Sequence, residues 1–540
     1  MKKSMKFKTG IAVVATVGMA STMLAGCNTS ASKPSASSPP EKGAGTPAAG
    51  DAAKQKINFK ILVPKAAHEM PYDKMDVFVK LEEKTNVHID WDNPPAENFK
   101  ERVNLVMASG DLPDMIVQTP ITEVLKYAQM GAIIDLNDLI EKNAPNLTAL
   151  MKKYPNIKKW ISTPEGKIYY LPRLYADDES SRPSRINNPL QIRQDWLEKL
   201  NLKEPVTTDE WYTVLKAFKE KDPNGNGKMD EIPYSTNGIG FVRNLSRAWD
   251  VEDTFYIPKG SKEIRFGPIE DRFKEALTWI NQLYKEGLLD KEFATNDEKA
   301  FQSKVSQNLV GSYRGLLGGH LRAFNETLPK TIPGFKLVGT IPMKGPHGDQ
   351  REPLGGIVGG AHTVITKSNK NPAEAVKWLD YFYGPEGSAF LSFGPEEGKT
   401  FTKEPGGRYH YSDFVQKNPN GMSAKQAIGT FSPIQSAWPV LHHPDTTLEM
   451  NPSFNVDAMN KIAPYALDGI PELGFKKEDD EVRRQVMNDV QTYVDEMIIK
   501  FIMGNEPLSN WDAYVKRVKS MGIDKVLKIY NDTYTAWSKM

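Results

Sequence analysis

The chain has 540 residues, of which 69 are lysine or arginine and 68 are aspartate or glutamate, so its formal net charge is +1. Because single hydrophobic cores stop growing well below this length, more than one domain is expected. The near-neutral charge does not favour nucleic-acid binding. Cys27 is the one cysteine, which excludes an intrachain disulfide and a metal site with several cysteine ligands.

Residues 1–26 have the pattern of a secretory signal. Residues 1–8 carry four lysines, and residues 11–25 are apolar or small but too few to span a membrane. The stretch ends in Leu-Ala-Gly-Cys at 24–27, which resembles the bacterial lipobox. That resemblance implies cleavage before Cys27 and acylation of its thiol, with two or more chains needed for stable anchoring. The alternative is an ordinary secretory signal followed by a buried free cysteine.

A change of composition marks residues 27–56 as a tether. Ser, Pro, Ala, Gly and Lys dominate this stretch, so it cannot bury enough apolar surface to fold. A flexible tether of this length has a root-mean-square span of about 30 Å.

The next segment alternates strand and helix patterns. Strand patterns at 57–63, 87–91 and 115–117 are separated by amphipathic helical patterns. This order predicts a doubly wound α/β domain, in which ligands bind beyond the carboxyl ends of the strands. Gln118, directly after the third strand, is therefore a candidate ligand contact. Helical patterns dominate from residue 193 onward.

Residues 222–233 have the spacing of a calcium loop. Oxygen-bearing side chains, a glycine and a backbone carbonyl stand at the positions that such a loop requires. The predicted metal ligands are Asp222, Asn224, Asn226, Lys228, Asp230 and Glu231. The loop ends in Pro233 instead of the usual glutamate, so Glu231 is the residue that could supply the bidentate contact. The predicted calcium is structural, with no activated water, and an ordinary Asn-Gly turn is the alternative.

No set of residues in the sequence converges on catalysis. The adjacent His442 and His443 cannot share one helix face as zinc ligands at i and i+4 do. The acidic run at 479–481 precedes a long helix, which favours helix-dipole stabilisation over glycoside hydrolysis. No nucleophile elbow, P-loop or dinucleotide fingerprint occurs. The sequence therefore predicts a protein that is not an enzyme.

Aromatic and amide residues gather in loop-like segments, as saccharide binding requires. Pyranose C–H faces stack on aromatic rings, and sugar hydroxyls need amide, carboxylate and guanidinium partners. The candidate ligand-binding residues are Gln118, Arg173, Tyr175, Asn237, Trp249, Tyr313, Arg314 and Trp438. For each aromatic residue the alternative is a place in the core or at the rim. The arginines at 173, 243, 247 and 314 could meet uronate carboxylates or form ion pairs within the protein.

Several segments resemble the family 1 extracellular solute-binding proteins of carbohydrate importers. They include IRQDWLEKL at 192–200, DPNGNGKMDEIP at 222–233 and YKEGLLD at 284–290, and the matches run in order through nearly the whole chain after the tether. Within that family the chain is similar to the lipoprotein LplA-like branch, which includes alginate-binding proteins.

The resemblance implies an α/β, two-lobed periplasmic-binding-protein fold of type II, the Venus-flytrap fold. Each lobe is discontinuous in such proteins, and hinge crossovers let the lobes close on ligand. The implied first lobe comprises residues 57–171 and 358–405. The implied second lobe, which is rich in helices and carries the calcium loop, comprises residues 172–357 and 406–540.

The implied function is capture of an oligosaccharide in the interlobe cleft and its delivery to the permease subunits of an ABC importer. We expect a monomer on the extracytoplasmic face of the cell membrane, held there by its lipid anchor alone. The alternatives are a cell-surface polysaccharide-active enzyme and a wall-associated adhesion protein. The first lacks an acid/base set in this sequence, and the second lacks repeats. The identity, length and charge of the sugar stay open.

Overall fold

The computed structural model describes residues 56–163, 165–433 and 438–540. The predicted signal, the acylation site Cys27 and the tether up to residue 55 lie outside the described residues. Among the described residues, no helix is long and apolar enough to cross a bilayer.

The strands follow one another along the whole described chain. They are β1 (Ile57–Leu62), β2 (Val87–Asp92), β3 (Met115–Thr119), β4 (Leu171–Leu174), β5 (Leu190–Arg193), β6 (Ile232–Tyr234), β7 (Phe255–Tyr256), β8 (Arg265–Phe266), β9 (Val310–Arg314), β10 (Leu337–Gly339), β11 (Glu352–Leu354), β12 (Val358–Ile365), β13 (Phe401–Lys403), β14 (Tyr409–Tyr411) and β15 (Ala466–Asp468). The strands predicted at 57–63, 87–91 and 115–117 are confirmed by β1, β2 and β3.

Helices are spread along the chain between these strands and make up most of its carboxyl-terminal part. They are α1 (Asp76–Thr85), α2 (Phe99–Ser109), α3 (Ile121–Gln129), α4 (Asn137–Asn143), α5 (Pro145–Lys153), α6 (Pro155–Ile161), α7 (Gln194–Lys199), α8 (Thr208–Glu220), α9 (Ile239–Arg243), α10 (Asp271–Lys285), α11 (Glu298–Ser306), α12 (Ala323–Thr327), α13 (Pro372–Asp380), α14 (Pro385–Phe393), α15 (Asp413–Gln416), α16 (Ala424–Ile428), α17 (Pro444–Met450), α18 (Ser453–Ile462), α19 (Lys477–Met503), α20 (Trp511–Ser520) and α21 (Ile523–Ser538).

The first large sheet has the strand order β2-β1-β3-β12-β4. Strands β2, β1 and β3 run parallel, and β12 runs antiparallel to β3 and β4. Met115, Ile116 and Val117 of β3 are all fully buried, as expected for a strand covered on both faces. Their core also takes in residues of β12 and α13, far along the chain.

The second large sheet has the order β10-β5-β9-β6. Its core contains Trp196, Trp211 and Phe218 together with apolar residues of the long helix α19. Helix α8 begins with a complete capping box in which Thr207 and Glu210 satisfy each other's backbone N–H groups. Both sheets are therefore built from stretches that lie far apart in sequence.

The predicted lobe limits can be compared with these cores. The first core takes its residues from positions up to Leu174 and again from Ile357 onward. Trp438 and Val440 also pack in the first core, although the predicted limits place them in the second lobe. The limits themselves stay a prediction, and this packing argues for moving the last one beyond residue 441.

Candidate functional site

The carboxyl ends of the strands in the two sheets are joined by crossovers. Strand β12 pairs antiparallel with β3 and β4, so its start at Val358 and the end of β4 at Leu174 both lie at the carboxyl edge of the first sheet. In the second sheet Leu190 of β5 pairs with Arg314, the last residue of β9. Strand β10 also ends at this edge, where Gly339 pairs with Gln191. Connections 175–189 and 340–357, the second of which contains β11, therefore link the two carboxyl edges, and the region between those edges is the candidate ligand cleft.

Gln118 lies at this edge of the first sheet, as predicted, and its backbone is unusual. Its φ is +67°, in the left-handed region that residues other than glycine rarely adopt. Such backbone strain, on the order of 1–3 kcal/mol, clusters at ligand-binding sites. In the next residue, the carbonyl of Thr119 lies 2.9 Å from Nδ1 of the buried His362. The conformation of Gln118 is therefore held by the antiparallel neighbour β12.

Arg173, Tyr175 and His442 form a half-buried cluster where β4 leads into the first crossover. The N–H of Tyr175 donates to the carbonyl of Ile357 at 2.8 Å, which ties the two crossovers together. The rings of Tyr175 and His442 lie 4.8 Å apart at 41°. Nε2 of His442 lies 2.9 Å from Oγ1 of Thr447. An aromatic face, an imidazole and a guanidinium are thus partly accessible in one place.

The charge of this cluster depends on His442. Burial, together with the positive charge of Arg173 and the neighbouring His443, lowers the pKa of His442 to about 3. The imidazole is therefore neutral at physiological pH and provides a hydrogen bond without a charge.

On the second sheet, Asn237 follows the end of β6 and contacts helix α11. Its Nδ2 donates to Glu298, and its Oδ1 is buried without a hydrogen-bond partner in the described chain. His320 accepts from the N–H of Leu316 at Nδ1, so its Nε2 carries the proton and donates to Glu298 at 2.7 Å. Burial raises the pKa of Glu298, but hydrogen bonds from His320, Asn237 and Gln302 outweigh this and lower it. The edge therefore carries a negative charge beside an unused amide acceptor.

The other four candidate ligand residues are buried. Trp249 lies in a 3-10 turn and packs on Trp279, with 5.9 Å between ring centroids. Tyr313 packs on Phe301 at 4.9 Å, and Trp438 is 0% exposed within the first core. Arg314 forms an ion pair with Glu352 and is 2% exposed. Because a buried ring presents no face to a sugar, these side chains support the walls of the cleft here, and their contact with ligand stays a prediction.

Sequence reasoning missed three polar residues near the cleft, namely His320, Glu298 and Thr447. His320 lies in a π-helical turn, Leu317–Arg322, which no short sequence pattern marks. His442 and His443 end a segment, 435–443, that the sequence offers to a sugar, but neither was singled out as a ligand contact. Their position in a polar, aromatic stretch was the signal that could have pointed to the cleft.

The predicted calcium loop joins α8 to β6 and is organised around Asp222. The Asp222 carboxylate accepts backbone N–H groups from Gly225, Asn226 and Gly227 at 2.9, 3.1 and 2.9 Å. Gly225 and Gly227 have φ values of +74° and +79°, which a side chain would strain. This tight turn directs the remaining side chains of the loop toward one another.

The oxygen atoms of the loop fit a cation. Asn224 and Asn226 each donate an amide hydrogen to Asp230, at 3.1 and 3.0 Å, and a 180° amide flip would present their oxygens instead. Glu231 is 3% exposed, and its Oε2 has no hydrogen-bond partner within the described ranges. Burial raises the pKa of Glu231, and Asp222 and Asp230 raise it further. A buried, unpartnered carboxylate oxygen among other oxygens suits calcium.

The loop is not a preformed cluster of acidic side chains. Within the described residues, no group of three or more His, Cys, Asp or Glu side chains is arranged to hold a metal. Three of the six predicted ligands are the amides of Asn224 and Asn226 and the backbone carbonyl of Lys228. None of these is a His, Cys, Asp or Glu side chain, so they do not count toward such a group. Lys228 is the residue whose carbonyl was predicted as a ligand, and its N–H donates to Asn226 at 2.8 Å.

Comparisons with known proteins agree with the resemblance of the sequence. The family model for bacterial extracellular solute-binding proteins matches residues 10–389. The fructooligosaccharide ABC transporter substrate-binding protein FusA of Streptococcus pneumoniae is 29% identical and is aligned over 98% of this chain and 99% of its own length. Lipoprotein LipO of Bacillus subtilis is 25% identical, over 96% and 97% of the two chains.

Solved structures share the fold. The alginate-binding protein AlgQ2, solved without calcium ion, has a TM-score of 0.68 and 29% identity over 89% of this chain and 98% of its own. FusA in complex with kestose has a TM-score of 0.67 and 25% identity over 89% and 99%. An EF-hand mutant of FusA in complex with fructo-nystose has a TM-score of 0.66. The predicted two-lobed type II fold is confirmed. Because the family model covers more than half of its residues, the chain belongs to the bacterial extracellular solute-binding proteins.

Proposed function

We propose that the chain is the binding component of an ABC importer and captures an oligosaccharide between two lobes. The observation that carries this proposal is the cluster of Arg173, Tyr175 and His442 at the junction of both carboxyl edges. It offers the ring of Tyr175 for C–H stacking, and the neutral imidazole of His442 and the guanidinium of Arg173 as hydrogen-bonding groups for hydroxyls. FusA, as a fructooligosaccharide transporter component, supports both the ligand class and permease subunits as partners.

The two lobes close on the ligand by bending at the crossovers. Tyr175 and Ile357, which are hydrogen-bonded to each other, lie on two of these crossovers. Hinges of this kind absorb the motion in a few residues between rigid elements. The strained Gln118 and the orphan acceptor of Asn237 lie on opposite edges and meet the ligand from the two sides.

The protein is held at the extracytoplasmic face of the membrane by acyl chains on Cys27 and acts as a monomer. The lipobox at 24–27 supports this anchor, and so does the similarity to a lipoprotein, LipO. Replacing Cys27 with Ser should move the protein from the membrane fraction to the medium. Retention of the C27S variant in a detergent-sensitive membrane fraction contradicts the anchor.

A calcium ion held by the loop stabilises the second lobe. The side chains of Asp222, Asn224, Asn226, Asp230 and Glu231 and the carbonyl of Lys228 would hold it. The structures of AlgQ2 without calcium ion and of a FusA EF-hand mutant support this assignment. The ion would neutralise the buried Glu231 and fix the end of α8 to β6, which leads directly to Asn237 at the cleft.

A thermal-shift screen tests the ligand class. The full chain, purified in detergent with calcium present, is mixed with kestose and with gluco-, xylo-, manno- and galacturono-oligosaccharides. A ligand at 100 times its Kd adds about 2.7 kcal/mol to the free energy of unfolding. At least one saccharide should therefore raise the melting temperature, whereas amino acids and short peptides should not. A panel in which only non-saccharides stabilise the protein contradicts the proposal.

A further inference from the structure

Three of the four arginines that the sequence offers to an acidic sugar have carboxylate partners within the protein. Arg314 is bound by both oxygens of Glu352, with Nη1 and Nη2 at 2.6 and 2.8 Å, and both side chains are almost completely buried. The forked geometry that would recognise a uronate carboxylate is therefore filled by Glu352. A ligand carboxylate could bind Arg314 only by displacing a buried carboxylate, which would then lose its partner.

Arg247 and Arg243 are neutralised in the same way. Nε of Arg247 donates to Glu252 at 2.7 Å. Arg243 pairs with Asp495 and, at 3.4 Å, with Asp253. Burial raises the pKa of Glu252, but Arg247 and a second arginine outweigh this and lower it. Glu252 is therefore ionised and neutralises the guanidinium group of Arg247.

The whole network has no surplus of positive charge. The second arginine that pairs with Glu252 is Arg351, which also pairs with Asp250 at 3.0 Å. Four guanidinium groups thus meet five carboxylates, those of residues 250, 252, 253, 352 and 495. The second-sheet side of the cleft therefore has no net cationic field to attract a chain of uronates.

Charged groups also lie near the cleft edges. On the first-sheet side, the Lys65 ammonium donates to the backbone carbonyls of Ala66 and Glu69 at 3.4 and 3.1 Å, so two of its three hydrogens are used within the protein. On the second-sheet side the ionised Glu298 would repel a carboxylate. A polyuronate carries one carboxylate per ring and needs a cation for each one that it buries. Arg173 could serve only one of them.

We propose that the cleft selects uncharged oligosaccharides and discriminates against uronates. The inference rests on the proposed function and deepens it. It is carried by the carboxylate partners of Arg314, Arg247 and Arg243, together with Glu298 at the cleft edge. The groups left for the ligand, such as the amide of Asn237 and the ring of Tyr175, suit hydroxyls and C–H faces. The chain therefore differs in ligand charge from the alginate-binding protein AlgQ2, whose fold it shares.

Isothermal titration of the full chain in detergent tests this inference. The probes are neutral tetrasaccharides of fructose, glucose, xylose and mannose, and tetramers of galacturonate, mannuronate and guluronate. Fully methyl-esterified tetragalacturonate is the matched control, since it keeps the same sugar rings and linkages and replaces each carboxylate by an uncharged methyl ester. At least one neutral tetrasaccharide should bind, and every uronate should bind about tenfold more weakly or worse. Raising NaCl from about 0.05 to 0.5 M should leave the neutral affinity nearly unchanged.

Four results overturn the inference. A uronate that binds as tightly as the best neutral sugar refutes charge selection and leaves the proposed function standing, and so does free tetragalacturonate that binds better than its ester. An affinity for the best ligand that falls steeply with salt refutes it as well. If no saccharide of either class binds, the proposed function itself fails and this inference fails with it.

Discussion

Behind the first-sheet wall of the cleft, Trp438 packs among aromatic rings, whereas behind the second-sheet wall Arg314 and Glu352 belong to a buried network of ion pairs. The rings within 6.3 Å of Trp438 are those of Tyr72, Phe78, Trp91, Trp378 and Phe382. Apolar burial of this kind needs no particular protonation state and responds weakly to salt. The first wall should therefore keep its shape across a wide range of conditions.

The second wall depends on complete sets of charges. A buried charge that loses its partner is strongly destabilising, whereas the intact pair adds little to stability. The predicted calcium loop adds to this dependence, because Glu231, one residue before β6, is buried with an oxygen that has no hydrogen-bond partner among the described residues. Two walls of one cleft thus have different sensitivities: the first to loss of volume, the second to loss of a counter-charge.

The largest expected effect is on the first wall. Trp438→Ala should lower the free energy of unfolding by about 3–5 kcal/mol in the absence of ligand, because it empties a large buried site. Urea denaturation followed by circular dichroism measures this. Trp438→Phe, which keeps an aromatic ring, should recover most of the loss. If W438A keeps its stability and loses only sugar affinity, Trp438 contacts ligand and does not belong to the supporting core.

A smaller effect, opposite in sign between two conditions, is expected on the second wall. Calcium at 100 times its Kd should stabilise the wild-type protein by about 2.7 kcal/mol. Glu231→Gln should raise the melting temperature in EDTA, because it removes a buried carboxyl group whose charged form is disfavoured, as its raised pKa indicates. The same variant should lower the melting temperature in calcium, because it removes a ligand.

Glu220→Gln is the matched control for this experiment. Glu220 is exposed at the end of α8, and its replacement should change the melting temperature in neither buffer. Equal melting temperatures of wild-type protein in calcium and in EDTA, with no calcium found by elemental analysis, refute the metal site. A shift of the same sign in both buffers for E231Q refutes the role of Glu231 in it.

The smallest effect concerns pH and the crossover between the walls. The pKa of His442 is about 3 in the folded protein, against 6.5 for an unperturbed histidine. Between these values the unfolded chain binds a proton that the folded chain does not, so acid favours unfolding. His442→Asn should therefore make the free energy of unfolding fall less steeply from about pH 6 to 4 than in wild type. Equal slopes for the wild type and His442→Asn contradict the burial of a neutral His442.

The contrast also shows which features a sequence can reveal. The tight turn at residues 222–231 was predictable because one short segment contains all the residues proposed as calcium ligands, so that spacing alone suggests the site. The first three strands were predictable for the same local reason. The sequence placed Trp438 in a loop facing the cleft. Its burial could not be seen there, because its aromatic neighbours come from residues as distant as Tyr72. No sequence pattern near Arg314 shows that its guanidinium pairs with Glu352, because pairing of this kind follows from the tertiary fold.

The cluster of Arg173, Tyr175 and His442 could be predicted from the sequence only in part. Tyr175 and Arg173 were chosen from composition alone, and the structure places both beside His442, more than 260 residues later in the chain. Gln118 was chosen from its position after the predicted strand at 115–117, and the positive φ that marks it as strained needed coordinates. Topology gave the region of the site, but the side chains that share it depend on where the crossovers run.

The affinity of Tyr175→Ala for sugar tests the central claim most directly. The wild-type protein, Y175A and the control Y212A are titrated with the neutral oligosaccharide that gives the largest thermal shift. Tyr212 lies half-buried on α8, where its hydroxyl donates to Glu286 at 2.6 Å. Y175A should bind about tenfold more weakly or worse, with an unchanged melting temperature in the absence of sugar, and Y212A should bind like wild type. Unchanged affinity of Y175A would contradict the placement of the ligand at the crossover cluster.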